Sequence, residues 1–195
     1  MSRRSQRVHE AAGYLLHAAA WRETSLLIQV FAREYGNVAL VAKGAKRPYS
    51  VLRPILSMFQ PLVLSWSGAG EVKTLIRAES AGVRPLTGRV LMSAWYMNEL
   101  LLRLLPREDA HPGVYDAYDV ALDQLARGAL AAAALRRFEW ILLQETGYGV
   151  SGPAPDFEDA GVEPALRVSL RGRLDELLAG RPLQTRKVLL ELQRT

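Results

Sequence analysis

An α+β architecture, with a small five-stranded barrel followed by an all-helical domain, is predicted by three observations. Apolar runs of strand length separated by Gly, Asn and Ser fill residues 14–80, and beyond about residue 86 the apolar spacing changes to three and four. The third is charge: residues 1–80 carry eleven Lys or Arg against five Asp or Glu, whereas residues 81–195 carry fourteen against fifteen. The formal +5 belongs to the first part. The predicted domains are therefore 1–80 and 81–195.

In the first part, Tyr14 to Ala20 and Leu26 to Phe31 are apolar runs, the second ending at Arg33, Glu34 and Tyr35. Gly36 and Asn37 supply the backbone freedom for a reversal, and Val38 to Ala42 reads as the returning strand. Leu62 to Trp66 and Val72 to Ile76 form a second hairpin about Ser67, Gly68, Ala69 and Gly70. Five short strands with a loop, or one helical turn, between the third and fourth suit an oligonucleotide-binding barrel; an SH3-like barrel or half of a sandwich gives much the same pattern. Residues 1 to about 10, with Arg3, Arg4 and Arg7, read as a flexible basic arm. His9 and Glu10 interrupt the apolar region that a signal peptide would need.

In the second part, Val90, Ala94, Met97, Leu101 and Leu104 line one face of a helix that stops before Pro106. Val114, Tyr118, Leu122 and Leu125 mark a second, ending near Gly128, and Leu130 to Glu145 a third, ended by Gly147. Gly152 to Pro164 has no apolar period and reads as a solvent-exposed bridge. Leu166, Leu170, Leu174, Leu177 and Leu178 predict a further helix closed by Gly180, and Val188, Leu189 and Leu192 a short last one.

The chain, 49% hydrophobic, is long enough for a buried core and lacks cysteine, so it has no disulfide framework and no thiolate zinc site. This suits the cytoplasm. Neither YLLHAAAW nor ALAAAAL approaches the roughly 20 apolar residues of a spanning helix. Phosphate-binding loops of the GxxxxGK[ST] and GxGxxG kinds are missing. His9, His17 and His111 are scattered, and Asp116, Asp119 and Asp123, though on one helix face, have no histidine near them in sequence and read as a solvated acidic surface. No catalytic residue, metal or cofactor is expected; an acidic site at these aspartates is the lesser alternative.

Lys43, Lys46, Arg47 and Arg53 stand in a Gly-, Pro- and Ser-containing loop between apolar runs, where side chains are free of the core. Such a patch suits a polyanion, nucleic acid before membrane. Lys73 and Arg77 on the last strand are expected to assist. Among the aromatics, Tyr49 in the basic loop is the leading candidate to stack on a base; Trp21 and Trp66, at strand ends, could each be exposed or plug the barrel. Arg136 and Arg137 interrupt an apolar helix. One of them either binds a partner's carboxylate beside a hydrophobic groove or snorkels, with Arg136 able to pair with Glu139 three residues on. Trp140 belongs to the same helix, and Arg186 and Lys187 near the chain end are expected to join that groove. A protein scaffold whose basic face binds only an acidic partner is the rival reading.

Five ordered blocks carry a family likeness: LLHAAAWRETSLLIQVFAREYGNVALVAKGAKRP, GEVKTLIRAE, YMNELLLRLLP, ALRRFEWILLQETGYG and GRPLQTRKVL. In these the chain resembles the RecO family of bacterial recombination mediators and DNA repair proteins. The resemblance implies an oligonucleotide-binding barrel and a helical domain without enzymatic turnover. It also implies binding of single- and double-stranded DNA, strand annealing, contact with the C-terminal tail of single-stranded DNA-binding protein, and action with RecR in loading RecA. Lys43, Lys46 and Arg47 match the family's basic block, and Arg136 and Arg137 its arginine pair. Many members also carry a four-cysteine zinc module between the GYG segment and the final helix. This chain has no cysteine and is shorter in that interval, where 152–164 stands in.

Overall fold

The computed structural model describes residues 6–186 and residue 188. Residues through Arg84 together with Pro106–Pro112 cluster as one compact unit, and Pro85–Leu105 with the residues from Gly113 onward as a second. No helix among the described residues is long and apolar enough to cross a membrane.

The first unit is a closed barrel of β1 (Gln6–Trp21), β2 (Ser25–Ala32), β3 (Gly36–Ala42), β4 (Pro61–Gly68) and β5 (Val72–Ser80), with the one-turn helix α1 (Leu52–Ile55) between β3 and β4. Neighbours run β1-β2-β3-β5-β4, and parallel pairing of β3 with β5, Ala39 opposite Val72, completes the closure. This is the oligonucleotide-binding order, and closure leaves no open sheet edge. β1 serves two partners: its first half pairs with β4 and its second with β2. Residues 6–10, read from sequence as an arm, are thus strand. The pairing continues through a bulge between Val8 and Ala11, where Glu10 takes φ 52° and its N–H donates to Ser65 Oγ at 3.1 Å. Arg3 and Arg4 lie outside the described residues.

Val8, Leu15, Ile28, Val30, Leu40, Leu62, Leu64 and Trp66 fill the barrel. Burying each large apolar side chain contributes about 1.5–3 kcal/mol, so the interior outweighs exposed ion pairs such as Arg33–Glu34. Trp66 is only 1% exposed, with Tyr35 edge-on at 5.2 Å; it plugs the barrel. Gly36 opens β3 with φ 65°, and a Cβ there would lie 1.9 Å from the Asp109 carbonyl oxygen. That close approach seats Pro106–Pro112, whose Glu108 N–H donates to the Asn37 carbonyl at 3.0 Å.

The second unit contains α2 (Val90–Leu104), α3 (Pro112–Ala126), α4 (Ala131–Glu145) and α5 (Glu163–Leu177). Its core takes Ala94, Met97 and Leu101 from α2, Val114, Tyr118 and Leu122 from α3, Phe138 and Leu142 from α4, and Leu166, Leu170 and Leu174 from α5. Tyr118 satisfies its buried hydroxyl by donating to Asn98 Oδ1 at 2.5 Å. Pro164 falls in the first turn of α5, where no N–H is required of it. The bridge expected over 152–164 ends at Val162, because Glu163 and Pro164 already open α5; within it Phe157 finds a partner, packing edge-on to Trp140 with ring centroids 6.3 Å apart. Val188 is the one described residue of the expected last helix.

Candidate nucleic-acid interface and partner cavity

At one end of the barrel the β1–β2 turn and the loop after β3 are tied together. Trp21 pairs with Ser25 and Leu26 with Ala42, which brings Arg22 and Lys43 to the same end. The Lys46 N–H donates to the Thr24 carbonyl at 2.9 Å, and its Nζ to the Arg22 carbonyl at 3.4 Å. The loop is a chain of turns, Arg47 N–H to Gly44, Ser50 to Arg47 and Arg53 to Ser50, anchored by the buried methyl of Ala45. Held by these turns and by the bond from Lys46 to Thr24, it turns Lys43, Lys46, Arg47, Tyr49 and Arg53 to solvent. Tyr49 is 98% exposed. Between turn and loop lies a cleft of about 570 Å³ lined by Trp21, Arg22, Glu23, Val41, Lys43 and Arg47 among others.

The two expected helpers on β5 fare differently. Lys73 is 7% exposed; its ammonium pairs with the Glu108 carboxylate and donates to the Gly70 carbonyl at 3.3 Å. It is not presented to solvent, and the reason is the 106–112 segment, which supplies its counter-charge across the chain. Arg77 is exposed and paired with Glu79 at 2.6 Å.

The second unit holds a cavity of about 360 Å³ among α2, α4, α5 and the chain beyond. Met92 and Leu135 give it an apolar wall, while Arg136, Arg167, Arg171 and Arg186 face Glu139 and Glu163 around it. Arg136 and Glu139 are both buried: Arg136 Nη2 donates to Oε1 at 3.0 Å, and Tyr96 Oη donates to the same oxygen at 2.6 Å. Burial raises the Glu139 pKa against the pull of Arg136 and the Tyr96 hydrogen bond. Burial, with Glu139 beside it, likewise pushes the Tyr96 phenol up, so it stays a donor. Arg186 lies over the Tyr96 ring, 5.9 Å from its centroid, and pairs with Asp175. Its guanidinium is held above its usual pKa because the Tyr96 and Asp175 contacts outweigh burial. A concave apolar wall ringed by guanidinium groups suits a ligand with a carboxylate and an apolar side chain.

The cavity therefore unites Arg136 and Arg186 but not the rest of the expected groove. Arg137 lies over the Phe157 ring at 5.4 Å and 3.7 Å from Glu158, and Trp140 packs on that same ring. Both are engaged by the bridge. Lys187 lies outside the described residues. Arg167 and Arg171 are further cavity residues that the sequence reading missed; their spacing of four next to Leu166 and Leu170 is the signal, an exposed basic stripe flanking the apolar face of α5. Of the acidic trio, Asp123 pairs with Arg127 at 2.8 Å. No three His, Cys, Asp or Glu converge as a metal site among the described residues. With no cysteine in the chain, its donors do not fit the family's zinc module.

Comparison with known proteins agrees with this architecture. Residues 6–84 match the family model described as Recombination protein O N terminal, and residues 86–152 the one described as Recombination protein O C terminal. The chain is 43% identical to the DNA repair protein RecO of Aromatoleum aromaticum, covering 96% of this chain and 98% of that relative. Its 234 aligned positions exceed the 195 residues here, so that relative carries residues this chain lacks. The DNA repair protein RecO of Cupriavidus pinatubonensis is 54% identical over 77% of this chain, and that of Azoarcus sp. 51% identical over 74%. The matched part spans only 52% and 60% of those two relatives. With both of its units matched in order, the chain belongs to the Recombination protein O family.

Proposed function

We propose that this chain is a DNA-binding recombination mediator of bacterial DNA repair, acting in the cytoplasm at the nucleoid. The observation that carries the reading is the cationic end of the barrel, where Lys43, Arg47 and Arg53 are exposed and without acidic partners among the described residues. Lys46 joins them, its ammonium donating to the Arg22 carbonyl and to no carboxylate among the described residues. Cations held out by a loop of hydrogen-bonded turns gain affinity by releasing counterions from phosphates, without reading bases. Single and double strands can both be held. Two complementary single strands bound near one such surface repel each other less, which favours annealing. No step calls for nucleotide hydrolysis.

The arginine cavity of the helical unit is the proposed seat for the acidic C-terminal tail of single-stranded DNA-binding protein. A carboxyl terminus pairs with guanidinium groups and an apolar side chain enters against Met92 and Leu135. Tail contact would bring the barrel to coated single strands, where the family resemblance supplies RecR and, through it, RecA as further partners. The test is binding of labelled single strands and duplexes of unrelated sequence across a salt series, with a tail peptide titrated separately. The reading predicts DNA complexes that weaken steeply with salt whatever the sequence; a protein-only scaffold gives no complex at any salt.

A further inference from the structure

We propose that Trp21 is a stacking platform for one unpaired nucleobase, with Arg22, Lys43 and Arg47 placed to take the phosphates on either side of it. The inference rests on the DNA-binding reading above and adds what separates single strands from duplex. Trp66 is sealed in the barrel, Trp140 is packed under the bridge and Trp95, 37% exposed, belongs to α2 of the helical unit, whereas Trp21 keeps 42% of its surface in water on the barrel itself. Its side chain makes no hydrogen bond or ring contact among the described residues. A large indole left open on a strand end gains nothing for the fold by its exposed part.

The position of Trp21 explains the exposure. It ends β1 opposite Ser25 and forms part of the wall of the 570 Å³ cleft with Val41; three cations, Arg22, Lys43 and Arg47, line that cleft against one carboxylate, Glu23, and none of the three has an ion pair with an acidic residue among the described residues. That volume falls within the roughly 300–1,000 Å³ of small-ligand pockets. Tyr49, though fully exposed, does not line the cleft. The clamp between Lys46 and the Thr24 and Arg22 carbonyls fixes turn and loop relative to each other, so the indole and the cations are arranged before any ligand arrives. An unpaired base can swing onto the ring while its neighbouring phosphates meet the cations. In a duplex the bases are already stacked on one another, and only phosphates reach this face.

The test uses the full chain and its Trp21→Ala and Trp21→Phe variants, checked for an unchanged thermal transition. Equilibrium binding is measured to an oligothymidine strand and to a mixed-sequence duplex at one fixed salt. Trp21→Ala is expected to weaken the single strand by about 5- to 150-fold and the duplex by less than about twofold, with Trp21→Phe retaining most single-strand affinity. Saturation of the parent with oligothymidine should also quench tryptophan emission, and Trp21→Ala should lose that quenching. Equal losses on both DNAs, or no loss on either, overturns the inference while DNA binding stands. A parent that binds neither DNA at low salt overturns the DNA-binding reading and this inference with it.

Discussion

Arg136 and Glu139 form a buried pair, so the two arginine classes around the cavity separate in experiment. Arg136→Ala strands a desolvated carboxylate and is expected to lower unfolding stability by about 3–5 kcal/mol. Arg167→Ala and Arg171→Ala, on exposed positions, should leave stability within about 0.5 kcal/mol yet weaken the tail peptide. Urea unfolding and peptide titration on the same three variants read both quantities, and unchanged peptide affinity in the two exposed variants would remove the cavity as the tail's seat. The spacing of Arg136 and Glu139 made their pairing visible in sequence as one of two readings; the structure shows that pair and places it in the wall of a cavity, and a partner's carboxylate there is the proposal. Lys73 was not legible. On β5 a register shift at Ser65/Trp66 lets Ile76 and Arg77 both face outward while Lys73 turns in, and its partner Glu108 is 35 residues away. Nothing local marks either fact.

Between elements, Glu99 of α2 gathers the chain end. It accepts from the N–H groups of Gln184 and Thr185 at 2.8 and 2.9 Å and from the Thr185 hydroxyl at 2.8 Å, so its carboxylate caps the helical turn that begins there. Burial opposes ionisation of Glu99, but these donors and Arg103 outweigh it and hold its pKa below the usual value. A depressed carboxyl pKa stabilises the fold in full above the ordinary glutamate value of about 4.3 and is lost as pH falls through the lower native one. Glu99→Gln should thus be less stable than the parent at neutral pH, by about 1 kcal/mol, with the gap closing toward pH 3. Urea midpoints of both proteins across pH check it; a gap that does not narrow in acid contradicts the assignment. Element order was largely legible, since periods of two and of three to four distinguish strands from helices without tertiary information, and the observed α2 begins and ends at the residues read. The start of β1 was hidden because the bulge at His9 and Glu10 breaks the alternation that marks a strand, and only pairing with β4 keeps it extended. The bridge looked empty of packing groups because a lone Phe157 carries no period; its partner lies on α4.

For the molecule as a whole, charge and topology divide the work in the proposed function: the cationic closed barrel is assigned to phosphates and the arginine-lined helical cavity to an acidic tail. A five-stranded barrel was legible, but its strand order was beyond local sequence, because it depends on β3 pairing with β5 and on β1 serving two neighbours, both long-range matters that leave rival topologies open. With no cysteine and no convergent donor set among the described residues, the thermal transition is expected to be the same with and without a strong chelator, checked by calorimetry. A fall in the transition temperature with chelator would show a metal holding the fold. The central claim, that the barrel's cationic end is where DNA phosphates are bound, is tested most directly by the slope of log affinity against log salt for one single strand, in the parent and in the chain with Lys43, Lys46, Arg47 and Arg53 all changed to Ala. The account predicts a shallower slope in the variant, by up to about 0.7 for each phosphate contact removed, and weaker binding to every sequence alike; an identical slope in the two proteins would contradict it.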